Sequence, residues 1–91
     1  MNSINIEILN KFINFFDFEK KYSSNTIRAY KIDLIAFLNF LPSKLNVCNI
    51  KVENIQLFLQ NISKQKISER TLARKLASIK SFNRYMLKEG L

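Results

Sequence analysis

The sequence predicts an all-α fold of four helices in one domain, and three observations carry that prediction. Apolar residues recur at spacings of three and four along most of the chain. One glycine and one proline in 91 residues leave few places to turn, which disfavours a many-stranded β fold. Three of the four periodic stretches open on Ser or Asn, whose side-chain oxygens cap free helix amides. With 47% hydrophobic residues the chain can bury a core, and its length suits one ordinary domain.

The first helix is expected from Ile4 to Phe18, with Asn2 or Ser3 as its cap. Ile6, Leu9, Ile13 and Phe16 form one stripe, Ile4, Ile8 and Phe15 a second, and Phe12 lies between them. At about 100° per residue the arc is roughly 200° wide, more than a surface helix usually buries. Two readings stay open: burial against two other helices, or a protein-contact face at Ile4, Ile8 and Phe15. Ser23-Ser24-Asn25-Thr26 announces the second helix, which continues to Leu41 and is ended by Pro42. Its core stripe is Ile27, Tyr30, Leu34, Phe37, Leu38 and Leu41. A loop from Pro42 to Lys51 leads to a third helix, Val52 to Ile62, with Val52, Ile55, Phe58, Leu59 and Ile62 inward. A polar connection, Ser63 to Ile67, precedes the last helix, capped by Ser68 and carrying Leu72, Leu76, Ile79, Phe82 and Met86 to the core. Gly90 sits where a helix-ending glycine belongs.

Composition excludes many functions. The chain has no histidine, one cysteine (Cys48) and one glycine. That rules out Ser-His-Asp and Cys-His sites, zinc knuckles, a P-loop and a dinucleotide fingerprint. Seven scattered carboxylates show no close pair suited to acid–base work. No metal, cofactor or small-molecule substrate is expected, and no self-contained enzyme. The longest apolar run, Leu34 to Leu38, is too short to cross a bilayer, and the N-terminus lacks a signal-peptide pattern. A cytoplasmic setting is expected.

The net charge of +8 makes an anionic polymer the leading partner. In the last helix Arg70, Arg74, Ser78, Ser81, Tyr85 and Lys88 lie opposite the apolar stripe, and Thr71 borders them. From Arg70 to Lys88 the charged residues are all Lys or Arg. A solvated face would be expected to mix signs, so the imbalance favours phosphate binding. The start of the second helix adds Lys20, Lys21, Ser23, Ser24, Asn25, Thr26, Arg28 and Lys31 beside free helix amides. The two basic N-terminal ends are expected to lie on neighbouring helices and to grip one stretch of duplex.

These segments resemble a known family. Ser68 to Gly90 is similar to S-x-x-T-x-x-R-x-L-S-A-[LI]-[KR]-x-F-x-x-Y-L-x-x-E-G of tyrosine recombinases, through Ser68, Thr71, Arg74, Leu76, Ile79, Lys80, Phe82, Tyr85, Glu89 and Gly90. It reads Ala77-Ser78 where the family often has Ser-Ala. Ser23 to Leu41 resembles S-x-x-T-x-x-x-Y-x-x-D-L-x-x-F-x-x-F-L, and Ile55 to Leu59 fits I-x-x-F-L. Three motifs in order span nearly the whole chain, most like Xer-type recombinases and related phage integrases.

The resemblance implies a SAM-like orthogonal bundle of four helices that closes over one face of double-stranded DNA. Its second and fourth helices would face the DNA, placing Ser24, Asn25, Thr26 and Arg28 at one contact and Arg70, Thr71, Arg74, Lys75 and Ser78 at the other. By helical angle Lys75 borders the core stripe. Residues 1–91 would form one core-binding domain, and the full-length recombinase would act in a synaptic tetramer for DNA integration or chromosome-dimer resolution. The family cleaves with a Tyr nucleophile supported by Arg, Lys and His. Tyr22, Tyr30 and Tyr85 lie instead within cap or helix motifs, so the catalytic domain is expected outside these residues. The alternatives are a helix-turn-helix regulator reading DNA with Ser68 to Leu76, or a protein-interaction module. Against the former, the connection Asn61 to Ile67 is long and has no glycine.

Overall fold

The computed structural model describes residues 2–19 and 21–91. The expected Lys20 contribution lies outside the described residues. Four helices follow in order: α1 (Ser3–Glu19), α2 (Ser24–Phe40), α3 (Val52–Ser63) and α4 (Glu69–Lys88), with no strand among the described residues. A single 3-10 turn, Val47–Asn49, interrupts the α2–α3 loop.

Each boundary has a local cause. Asn2 accepts the Asn5 amide through Oδ1 at 2.8 Å and so caps α1. Ser23 caps α2 by accepting the Thr26 amide, and Ser68 caps α4 by accepting the Thr71 amide, at 3.2 and 3.1 Å. The side chain of Asn54 reaches back to accept the Lys51 amide at the start of α3. At the end of α4, Gly90 turns into the left-handed region at φ 73°, where side chains are strained. The Leu91 amide then donates to the Met86 carbonyl and the Gly90 amide to Leu87, closing the helix with paired carbonyls.

The core is rich in aromatic rings. Phe12 meets Phe82 and Tyr85 edge-on, each at 5.3 Å, and stacks on Phe16 at 5.1 Å. Phe37 meets Phe58 edge-on at 5.1 Å, joining α2 to α3. Such pairs add roughly 0.5–1.5 kcal/mol each beyond burial alone. The α2 stripe is as expected, with Leu34, Phe37, Leu38 and Leu41 buried and Ile27 and Tyr30 packed against them.

Three expectations need correction. The buried stripe of α1 is narrow: Asn5, Ile8, Leu9, Phe12 and Phe16. Ile4 and Ile6 lie about 100° to either side of it and are exposed. Ile8 is therefore core and Phe15 is half-buried against Tyr85 at 5.2 Å, so of the three residues considered for a protein-contact face only Ile4 is exposed. Val52, expected inward, is exposed because it sits in the first turn of α3, ahead of the buried Phe58 and Ile62. The buried face of α4 is Ser78, Ile79, Phe82, Tyr85 and Met86. That is a rotation of about 60° from the expected stripe.

Asn5 explains how the long α2–α3 loop is held. Its side chain is buried; Oδ1 accepts the Val47 amide at 2.7 Å and Nδ2 donates to the Leu45 carbonyl at 3.0 Å. Asn2 donates to the carbonyls of Ser43 and Leu45. A polar residue inside the apolar stripe thus anchors a loop that has little regular structure of its own. Asn5→Ala leaves the Val47 amide buried without a partner. It should cost about 2–3 kcal/mol, read as a lower urea midpoint with an unchanged slope. A loss below about 0.5 kcal/mol would show that the loop is held by other contacts.

Candidate nucleic-acid interface

The N-terminal turns of α2 and α4 are built alike. In each, Ser at the cap accepts the amide of the Thr three residues on. The hydroxyls also pair: Ser68 donates to Thr71 at 3.0 Å, and Ser23 and Thr26 share a bond at 3.1 Å. Thr26 and Thr71 are thereby engaged in their own caps. Ser24, Asn25 and Arg28 on α2, and Arg70 on α4, are exposed in or next to these turns. A helix start with exposed polar and basic side chains favours an anion.

The two starts do not lie side by side. Asp33 of α2 bonds Arg74 of α4, whereas Tyr22, just before α2, shares a cleft with Arg84 and Lys88 near the end of α4. The helices are neighbours that run in opposite directions, so their basic ends lie apart. The start of α2 faces the later part of α4, about 20 Å along the helix from Arg70 at 1.5 Å per residue.

At the crossing of α2 and α4 lies a buried carboxylate. Asp33 is 2% exposed. Arg74 grips it with a planar fork, Nε donating to Oδ2 and Nη2 to Oδ1, both at 2.9 Å. Lys75 Nζ donates to Oδ1 at 3.1 Å. Two cations on one carboxylate leave the cluster with a local positive charge. The Arg74 side chain is 42% exposed, with Nη1 outside the fork, while that of Lys75 is 16% exposed. Lys75 thus spends its ammonium on an internal ion pair, beyond covering apolar surface. The Asp33 hydrogen bond holds the Arg74 guanidinium above its ordinary value, so its charge is permanent.

Ser78 is fully buried, and its hydroxyl donates to the Lys75 carbonyl at 2.7 Å. In this structure it is a small packing residue with a satisfied hydroxyl and does not reach the surface. Tyr85, placed by sequence on the polar face, is buried against Phe12 and Phe15. The sequence reading also passed over Lys64 and Lys66, exposed in the connection just before Ser68. Their signal was plain, two lysines within four residues of a helix cap.

Burial, first of all, pushes the phenols of Tyr30 and Tyr85 above their ordinary value of 10.0. For Tyr30 the neighbouring Tyr22 and Asp33 add to this and Arg74 opposes it.

Comparison with known proteins places these features in context. The model of the family described as "Phage integrase, N-terminal SAM-like domain" matches residues 9–90. The tyrosine recombinase XerC of Anoxybacillus flavithermus is 34% identical over 93 residues, covering 100% of this chain and 31% of the relative. XerC of Leptospira interrogans is 38% identical over 87 residues, covering 93% of this chain and 28% of the relative. XerD of Rickettsia bellii is 31% identical over 86 residues, again 93% and 28%. The chain spans under a third of the length of these relatives. No solved structure matches it.

Asp33→Asn keeps the shape and removes the charge, leaving Arg74 and Lys75 to repel each other. With Arg74 partly in water, the expected loss is about 2–4 kcal/mol in urea denaturation. An unchanged midpoint would show that the ion pair contributes nothing. The raised phenols give a second expectation. The folded state prefers neutral Tyr30 and Tyr85, so their contribution is complete below pH 10 and is lost as pH rises through the folded values. Urea midpoints should fall on the alkaline side, less steeply in a Tyr30→Phe, Tyr85→Phe double variant. Equal slopes would exclude the phenols as the cause.

Proposed function

The chain belongs to the phage integrase N-terminal SAM-like domain family, and from that premise we propose that it is the DNA-clamping part of a site-specific tyrosine recombinase. One observation carries the reading: exposed basic residues flank the capped starts of both α2 and α4 and fill the connection before α4, among others spread over the surface. Arg28 and Lys31 extend the first group, and Lys64, Lys66 and Arg70 form the second. Arg74 adds its outward edge, held rigid by Asp33, and a pre-set guanidinium loses less freedom on meeting a phosphate.

The chemistry of strand cleavage is assigned to another part of the recombinase. This chain supplies affinity and register: Arg28, Arg70 and the caps to phosphates, with Asn25 and Arg70 the residues placed to reach base edges. The proposed setting is the cytoplasm, on the nucleoid, with further recombinase subunits on the same DNA. No helix among the described residues is long and apolar enough to cross a membrane.

Binding by this domain alone should be weak and salt-sensitive. Neutralising about 4–6 phosphates gives a log–log salt slope of about −4 to −5 in fluorescence anisotropy with duplex DNA. Arg28→Ala and Arg70→Ala should each flatten the slope by about one unit. Ser78→Ala should leave the slope unchanged, because its hydroxyl is buried. A slope near zero, or slopes unmoved by both Arg variants, would sink the proposal.

A further inference from the structure

A cleft of about 180 Å³ opens between the end of α1, the residues before α2 and the last turns of α4. It lies away from the start of α4, next to the residues that precede the α2 cap, and its lining does not include Asn25, Arg28, Arg70 or Arg74. Its walls are aromatic: Phe15, Phe16, Tyr22 and Tyr85. Phe16 and Tyr22 stack at 4.5 Å, and Phe15 lies 5.2 Å from Tyr85. The volume is close to the ~150 Å³ that accommodates one benzene-sized ring in an apolar protein cavity.

The rim has the opposite character. Lys21, Arg84 and Lys88 line it, and Lys88 Nζ stands 5.3 Å from the centre of the Phe15 ring. Glu19 is the one carboxylate lining it among the described residues, and it is already paired with Lys21 at 3.2 Å. Arg84 and Lys88 remain as uncompensated charge over an apolar floor. Tyr85 is 8% exposed and contributes to the wall of the cleft. An aromatic floor selects a ring, and a cationic rim selects carboxylates beside it.

We infer that this cleft docks a partner polypeptide through one phenylalanine side chain flanked by aspartates or glutamates. The ring packs against the stacked Phe16–Tyr22 pair and Tyr85, and the flanking carboxylates meet Arg84 and Lys88. Nucleic acid fits less well, because single-stranded binders carry a row of exposed stacking rings along a groove, whereas this cleft has room for one ring.

The test uses the 91-residue chain, labelled with nitrogen-15 for amide NMR. The probe is an acetylated, amidated pentapeptide with two aspartates on either side of a central phenylalanine. Saturable shifts are expected at Phe15, Tyr22, Arg84 and Tyr85, with a Kd of roughly millimolar or tighter. Replacing the central phenylalanine with alanine should weaken binding by about tenfold or more. An Arg84→Glu, Lys88→Glu double variant should do likewise while keeping its amide spectrum, since both residues are exposed. The inference is overturned by no shifts, by equal binding of the alanine peptide or of a peptide with lysine flanks, or by shifts centred on Arg28 and Arg70. It is also overturned if a single-stranded thymidine octamer moves the same amides at lower concentration than the peptide.

Discussion

A carboxylate taken out of water must take its counter-ions with it. Asp33 is buried in α2, and an unpaired charge there would cost several kcal/mol. Arg74 and Lys75 answer it from the second turn of α4, so the two helices can meet only where these three groups coincide. Apolar packing tolerates slippage, because one leucine replaces another at little cost. A bidentate fork does not. Once it forms, the rotation and register of α4 are set. Ser78 then falls one turn further along, close against its neighbours, where only a small side chain fits. Tyr85, two turns beyond that, meets Phe12 and Phe15. The aromatic core between α1 and α4 follows from an ion pair between α2 and α4.

The same pair shapes the surface. It takes the ammonium of Lys75 and two nitrogens of Arg74 out of the pool available to a partner. What remains outward is a guanidinium edge that cannot swing away. Because α2 and α4 run in opposite directions, their capped starts lie at opposite ends of the helix pair. On the proposed reading they meet phosphates about 20 Å apart, well within one 34 Å turn of B-DNA. The clamp is then a rigid two-point support, not a single basic knob.

Helix number, order, caps and most of the core were legible in the sequence, since spacing and cap residues act over three or four positions. Three features were not. Asn5 was invisible because a polar residue inside an apolar stripe reads as a break, and its partners at Leu45 and Val47 lie 40 and 42 residues away. The rotation of α4 was missed because Ser78 and Tyr85 count as polar in any hydropathy pattern. Yet a serine that bonds its own helix carbonyl and a ring packed on rings are both cheap to bury. The Asp33 ion pair was missed because its members sit 41 and 42 residues apart, and periodicity cannot report across that distance. The charge imbalance of α4 was real in the sequence, but two of its cations, Arg74 and Lys75, are bound to Asp33.

This divides the motif residues from their neighbours. In the two motifs that carry the family likeness, nearly every specified position is used by the fold. Ser23, Thr26, Ser68 and Thr71 are spent on caps, and Tyr30, Leu34, Phe37, Ile79, Phe82 and Tyr85 on the core. Asp33 and Arg74 form the ion pair, and Gly90 ends α4. The exposed residues Ser24, Asn25, Arg28 and Arg70 fall on unspecified positions, while Phe40, Lys80 and Glu89 are specified positions that stay exposed. Such a division has a physical logic. Capped, ion-locked helices hold two short surface turns in fixed positions whatever side chains those turns carry. Contacts that choose a DNA site can then change without disturbing the frame. A motif match is therefore strong ground for the fold, and the residues that discriminate one target from another are to be sought between the motif positions.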